Sequence, residues 1–238
     1  MNIALIGYGK MGKAIEAIAL EKSHDVILKI DLDNIEEFTS QNLRKCDVAM
    51  EFTNPDNAVK NILQCFDAGV PVVCGTTGWL DSLEKVQEAC KQKDGTFLCA
   101  SNFSIGVNIF FEINKYAASL MNPHEEYDVN IEEIHHTQKK DSPSGTAITL
   151  AEQIIQNIDR KGKWINNSTN NLRELEIISK RIDTVPGTHK IKYTSDVDDI
   201  EITHTAHNRQ GFAKGAILAA EFLQGKKGIF TMKDVLGI

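Results

Sequence analysis

The chain has 238 residues, of which 42% are hydrophobic and 25% charged, enough to bury a core in one large domain or two modest ones. Its formal net charge of -7 argues against a nucleic-acid surface and against an anionic membrane, so an anionic substrate has to be captured by a local positive patch. No signal peptide is visible at Met1–Ile6, and no apolar run approaches the ~20 residues that span a bilayer, which points to the cytoplasm. Cys46, Cys65, Cys74, Cys90 and Cys99 are odd in number, lack C-x-x-C spacing and sit mostly in apolar segments, so they read as reduced, buried thiols.

Asn2–Ile6 is an apolar run, Lys10–Leu20 carries Met11, Ala14, Ile15 and Ile18 on one helical face, and Asp25–Ile30 is again extended. Cys46–Phe52, Val70–Cys74 and Thr96–Ala100 are three further buried-looking strands, with the helical patterns Pro55–Ala68 and Leu80–Lys91 between them. Strand and helix in alternation imply a parallel sheet with right-handed crossovers. After Asn108 the rhythm changes. A helical run over Ile109–Leu120 leads to a strand over Tyr127–Ile134, where Val129, Ile131 and Glu133 share one face. A helix over Thr146–Ile158 follows, with Ser142 or Ser144 as N-cap and Pro143 near the first turn. Three extended stretches, Leu175–Ile182, His189–Thr194 and Ile200–His207, come next without intervening helices and suggest an antiparallel or mixed sheet, hence a second domain. The polar run Asn166–Asn171 reads as a loop, and Gly211–Leu223 as a closing helix.

Gly7-Tyr8-Gly9-Lys10-Met11-Gly12 stands between the first strand and the first helix, and Asp31 ends the second strand. Such a turn allows close backbone approach to a pyrophosphate at a helix N-terminus, and the carboxylate can accept from a ribose hydroxyl, so these residues form a candidate dinucleotide site. The charge of Asp31 would repel a 2′-phosphate. Leu32 follows it, and Lys10 and Lys29 are the cations nearby in sequence, so NADH is expected to be preferred over NADPH without excluding it. Gly75-Thr76-Thr77 follows a strand at the carboxyl edge of the sheet, where such folds bind ligands.

The stretch 133–147 gathers two imidazoles, His135 and His136, two ammonium groups, Lys139 and Lys140, and a Ser-Gly-Thr turn opening a helix. Backbone N–H groups at Gly145 and Thr146 would face an anion there, so the segment is suited to a small dianion. No H-E-x-x-H and no third close ligand completes the histidine pair, so no metal is expected. Each feature also has a plainer role: a structural or surface histidine pair, a solvated turn, a helix cap. Their coincidence downstream of a nucleotide fold favours the site.

The run from Glu133 to Ala147, with Gly75–Gly78, Asn102–Asn108 and the segments Ile202–His204 and Gly215-Ala216, resembles the dihydrodipicolinate reductase family over nearly the whole chain. The family's glycine loop often carries an earlier first glycine and an Arg where Lys10 stands. The resemblance implies a Rossmann-type parallel-sheet nucleotide domain over 1–107 and 209–238, discontinuous, and an α+β substrate-binding and oligomerisation domain with a mixed sheet over 108–208. It implies NAD(P)H-dependent reduction of 4-hydroxy-tetrahydrodipicolinate, a cyclic dicarboxylate, in diaminopimelate and lysine biosynthesis, by a homotetramer. By the same resemblance His135 is proton donor or acceptor and Lys139 proton donor. His136, Gly145 and Thr146 bind substrate, while Gly75–Thr77 and Ala100-Ser101-Asn102-Phe103 lie beside the nicotinamide. Arg209 would touch the cofactor or a hinge, and His204 and His207 are taken as structural. Another nicotinamide oxidoreductase for a different small acid, or a non-catalytic nucleotide sensor, are the alternatives. A substrate panel separates the former, and the presence of both His135 and Lys139 speaks against the latter.

Overall fold

The computed structural model describes residues 1–208 and 210–238. In chain order the main elements are β1 (Asn2–Ile6), α1 (Lys10–Glu21), β2 (Asp25–Ile30), α2 (Ser40–Leu43), β3 (Val48–Glu51), α3 (Pro55–Ala68), β4 (Val72–Cys74), α4 (Leu83–Gln92), β5 (Thr96–Cys99), α5 (Ile105–Met121), β6 (Asp128–His135), α6 (Gly145–Asn157), β7 (Lys163–Ile165), β8 (Glu174–Arg181), β9 (Gly187–Thr194), β10 (Asp199–Ala206), α7 (Gln210–Phe222), β11 (Gly228–Phe230) and α8 (Met232–Leu236). They fall into two compact units, Met1–Ile105 with Gln210–Ile238, and Gly106–Arg209.

The first unit is a six-stranded parallel sheet in the order β11-β5-β4-β3-β1-β2. Both faces are covered, which is why its inner strands are mostly apolar, whereas the edge strand β2 carries the exposed Asp25 and Lys29. Along β1 the side chains part to opposite cores: Ala4 and Ile6 join Ile62, Phe66 and Val86 from α3 and α4, while Ile3 and Leu5 join Ile15, Ala216 and Ile217 from α1 and α7. The last helix returns to this unit by close packing. A Cβ on Gly215 would collide with the carbonyl oxygen of Phe103, so only glycine lets α7 lie this near that backbone. The chain leaves β1 toward β2 on one side and resumes at β3 on the other, which puts the topological switch point at the carboxyl end of β1.

The second unit is a five-stranded mixed sheet, β10-β9-β6-β8-β7, with α5 and α6 against one face. β6 runs parallel to β8 and antiparallel to β9. Its inward positions alternate strictly, and register pairs Val129 with Tyr193, Ile131 with Ile191 and Glu133 with His189. The inner layer is thus apolar for two rows and turns polar at the third. The outer face is a lattice of charges, with Lys180 beside Glu132 (2.5 Å) and Lys192 beside Asp199 (2.7 Å).

Several boundaries differ from the sequence expectation. Leu80–Ser82 is a 3-10 turn, so that helix starts at Leu83. The helix expected from Ile109 begins at Ile105. A 3-10 segment at Leu32–Glu37 and the elements α2, β7, β11 and α8 were not expected; each is three to six residues long, too short to show a period. All five cysteines are free thiols, four of them buried. The Arg209 assignment lies outside the described residues.

Candidate active site

At the switch point of the first unit a cavity of about 490 Å³ is lined by Ile6, Gly7 and Gly9 from the glycine turn, Ile30 and Asp31 from the end of β2, and Thr53 after β3, among others. The glycines serve different ends. Gly7 has φ +93°, and a side chain there would strike the Phe52 carbonyl. A Cβ on Gly12 would stand 2.5 Å from the Gly7 carbonyl oxygen, so this glycine lets α1 pack on its own turn. Gly9 is different: a Cβ would meet nothing within 4 Å, so the protein itself does not require glycine there, whereas a ligand lying on the turn would. No side chain caps α1, whose N-cap is Gly9, and its leading N–H groups are available to an anion. A pyrophosphate-bearing nucleotide fits these features.

Tyr8 and Lys29 turn out to be tied to the protein. The Tyr8 hydroxyl donates to Glu16, Lys29 Nζ lies 2.5 Å from the same carboxylate, and the ammonium sits 5.2 Å from the Tyr8 ring centroid. Lys29 is therefore neutralised by Glu16, which removes one of the two cations that sequence placed near Asp31. Asp31 itself caps the 3-10 segment, accepting from Leu32 N–H (2.9 Å), with Leu32 84% exposed beside it. A cation that sequence reading missed, Lys60 on α3, lines the same cavity. The signal for it was available: α3 starts after β3, the other strand of the switch point.

Met11 and Gly75, Thr76 and Thr77 line an adjoining cavity of about 300 Å³ with Phe52, Thr53, Asn54 and Pro55. The loop after β3 is held from below. Glu51, fully buried, accepts from Thr53 and from Asn61 Nδ2 (3.2 Å), while Thr53 N–H donates to Thr76 Oγ1 (2.9 Å). Ala100 N–H reaches the Cys74 carbonyl (3.2 Å), and the Phe103 ring lies 5.7 Å from that of Phe52. Ser101 is exposed; Asn102 Oδ1 accepts the Ser104 N–H (2.9 Å). Lys10 is exposed at the start of α1.

In the second unit β6 delivers His135 to the inner face beside Glu133, and the chain then loops through Lys139 to α6. Ser144 is the N-cap, its Oγ accepting the Ala147 N–H at 3.2 Å, which puts Gly145 and Thr146 in the first turn. The buried Glu133 carboxylate organises the cluster. Both its oxygens accept the Ser144 N–H at 3.1 Å, Ser179 Oγ donates at 2.8 Å, and Arg181 reaches it at 3.3 Å. His135 Nδ1 stands 3.3 Å from the carboxylate, an electrostatic contact off the line of a good hydrogen bond. Burial opposes ionisation of Glu133, but these donors and His135 outweigh it and hold the carboxyl well below its usual range.

His189, from β9, completes the group. Its Nε2 is 3.1 Å from Ser144 Oγ and its ring lies 5.0 Å from that of His135, at 72°. Burial, reinforced by the neighbouring His135, pushes its pKa down to about 3. Gly187, two residues earlier, leaves space for His135, whose Nε2 would lie 3.1 Å from a Cβ there. Lys139 Nζ is bound by both carboxylate oxygens of Asp141 at 2.8 Å, and Arg181 holds the Asp141 carbonyl at 2.7 Å, fixing the loop. His136 is half-buried. His204 stacks on Phe110 with centroids 6.0 Å apart.

The expectation of no third ligand concerned His135 with His136, whereas the structure groups His135 with residues other than His136. His135 groups with Glu133 and His189, their donor atoms within 4.8 Å of one another, through a cross-strand register that the sequence does not display. Glu133 is already saturated by donors and adjoins Arg181, surroundings that disfavour a dication.

A cavity at the switch point of a doubly wound sheet, against a glycine turn and a helix N-terminus, defines the class of dinucleotide-binding folds. An amine dehydrogenase from Mycobacterium smegmatis shares the fold, with TM-score 0.62 at 11% identity over 98% of this chain and 95% of that one. A dipicolinate-bound dihydrodipicolinate reductase from Paenisporosarcina sp. TG-14 superposes with TM-score 0.76 at 23% identity over 97% of both chains. The family patterns for dihydrodipicolinate reductase, N-terminus and C-terminus, match residues 1–103 and 106–236. A 4-hydroxy-tetrahydrodipicolinate reductase from Christiangramia forsetii is 54% identical over 99% of this chain and 98% of its own, and one from Neisseria gonorrhoeae 34% identical over 94% and 84%. The chain belongs to the dihydrodipicolinate reductase family.

Proposed function

We propose that this chain reduces 4-hydroxy-tetrahydrodipicolinate to tetrahydrodipicolinate, with loss of water, in diaminopimelate and lysine biosynthesis. The observation that carries the reading is the near full-length match at 54% identity to a reductase of that name. The coenzyme is NAD(P)H, held by the first unit, with Gly7, Tyr8, Gly9, Lys10, Met11, Gly12 and Asp31 on its pyrophosphate and ribose side, and Gly75–Thr77 and Ala100–Phe103 on its nicotinamide side. NADH is the preferred form. The support is the exposed Asp31 with Leu32 after it, and the engagement of Lys29 by Glu16.

When bound, the coenzyme supplies a hydride. The residues of the chain bind, orient and move protons. The substrate's two carboxylates call for fixed donors, which Gly145 and Thr146 offer at the α6 N-terminus and His136 and Lys139 offer from the loop. His135 is the proton donor or acceptor: it is an imidazole steadied by Glu133, its Nδ1 side facing a carboxylate. Lys139 supplies the other proton and stabilises charge developing on the substrate nitrogen, and Asp141 holds it ready. Hydride delivery and loss of the 4-hydroxyl as water, together or in sequence, consume one proton and one reduced coenzyme per product.

A homotetramer assembled through the sheet of the second unit, in the cytoplasm, completes the proposal; light scattering on the purified chain tests the assembly. The decisive assay supplies freshly generated 4-hydroxy-tetrahydrodipicolinate with NADH or NADPH and follows loss of nicotinamide absorbance. Absence of substrate-dependent oxidation with either coenzyme overturns the reading.

A further inference from the structure

We infer that His189 is a positioning residue for the dicarboxylate site, bonding Ser144 to set the first turn of α6 and packing on His135 to set that ring. The inference rests on the reading of residues 135–146 as the substrate site and adds to it a residue from another strand.

Three observations converge. Ser144 Oγ receives the Ala147 N–H and lies 3.1 Å from His189 Nε2, so one hydroxyl joins the helix cap to β9. Glu133 Oε2 is 3.8 Å from the same Nε2, which favours the tautomer with its proton there, and among the described residues Nδ1 has no partner. A buried lone pair without a partner costs less than a buried N–H without one, which favours the same tautomer. Nε2–H then donates to Ser144, both lone pairs of the serine are taken, and its rotor is fixed. The ring also forms one wall for His135, edge to face, where Gly187 clears the space next to it.

A neutral group is what this place requires. Arg181 already brings positive charge to Glu133, and His204 faces His189 across the β9–β10 pair. An imidazolium at His189 would add a further cation beside the same buried carboxylate that Arg181 already meets. His189 therefore supplies shape and one donor without charge.

The test compares His189→Phe, which keeps a flat ring and loses the donor, with His189→Gln, whose amide N–H can reach Ser144. For H189F the KM for 4-hydroxy-tetrahydrodipicolinate should rise roughly tenfold or more while the KM for NADH stays within about twofold, and H189Q should recover most of the loss. An unchanged substrate KM in H189F, an equal rise in both KM values, or an H189Q no better than H189F overturns the inference. His136→Ala, which removes a side-chain donor of the proposed site, is measured alongside and separates the two levels: if it raises substrate KM and H189F does not, only the role of His189 falls, and if neither does, the site itself is misplaced. Should H189F not fold, imidazole 15N spectra of the unaltered protein decide. An Nε2–H tautomer that does not titrate between pH 8 and 5.5 supports the role, and an Nδ1–H tautomer or titration near pH 6.5 overturns it.

Discussion

The backbone N–H of Ser144 lies 3.1 Å from each carboxylate oxygen of Glu133, so the residue that caps α6 is clamped to the strand that carries His135. Strand and helix terminus are thereby fixed to each other through a fully buried charge.

Because that charge is buried and saturated by donors, Glu133→Gln should cost about 1–3 kcal/mol at pH 7. The sign with pH follows from the carboxyl being held below its ordinary value of 4.5. The stabilisation is complete above the unfolded-state pKa and is lost as pH falls from there toward the folded one. Urea unfolding should show a constant gap between the two proteins from pH 7 to 5.5 that narrows below about pH 4.5.

The buried imidazole of His189 acts in a different window. Its folded pKa of about 3 lies below the usual 6.5, so the unfolded chain takes up a proton first and stability falls as pH drops through 6.5. The loss is at most about 1.4 kcal/mol per pH unit from this group. His189→Gln should flatten the pH dependence of the urea midpoint between pH 7.5 and 5.5, and an unchanged slope would show that folding does not lower the His189 pKa.

Gly9 and Gly12 separate ligand from fold. Gly9→Ala puts a methyl into open space on the protein, so Tm should hold within a degree or two while the KM for NADH rises by about tenfold. Gly12→Ala drives a methyl against the Gly7 carbonyl and should lower Tm by several degrees. Thermal scans with coenzyme titrations distinguish them.

Lys139→Ala should lower kcat by roughly two orders of magnitude with the KM for NADH unchanged, since Arg181 still holds the loop through the Asp141 carbonyl when the Lys139–Asp141 pair is lost. Full turnover in the purified variant would remove Lys139 from the chemical step.

Comparison of kcat/KM for the two coenzymes should favour NADH, and Leu32→Arg should raise the value for NADPH by about tenfold or more through a guanidinium–phosphate pair. A clear NADPH advantage in the unaltered chain would mean that Lys60, in the same cavity as Asp31, outweighs the carboxylate.

The sequence by itself determined the parallel sheet, because buried strands between amphipathic helices leave short apolar runs, as at residues 48–50 and 97–99. It also located the glycine turn, Asp31 and the 133–147 segment, since those are local patterns of residue type and spacing. The short β7 and β11 were illegible because three residues carry no period; their pairing with β8 and β5 makes them strands. The partners of the key side chains were equally hidden. That Lys29 is neutralised by Glu16, that Lys60 joins the switch-point cavity, and that His189 meets Glu133, Ser144 and His135 depend on side-chain geometry and strand register. Tertiary structure decided them because a one-residue slip of β9 would send His189 to the opposite face.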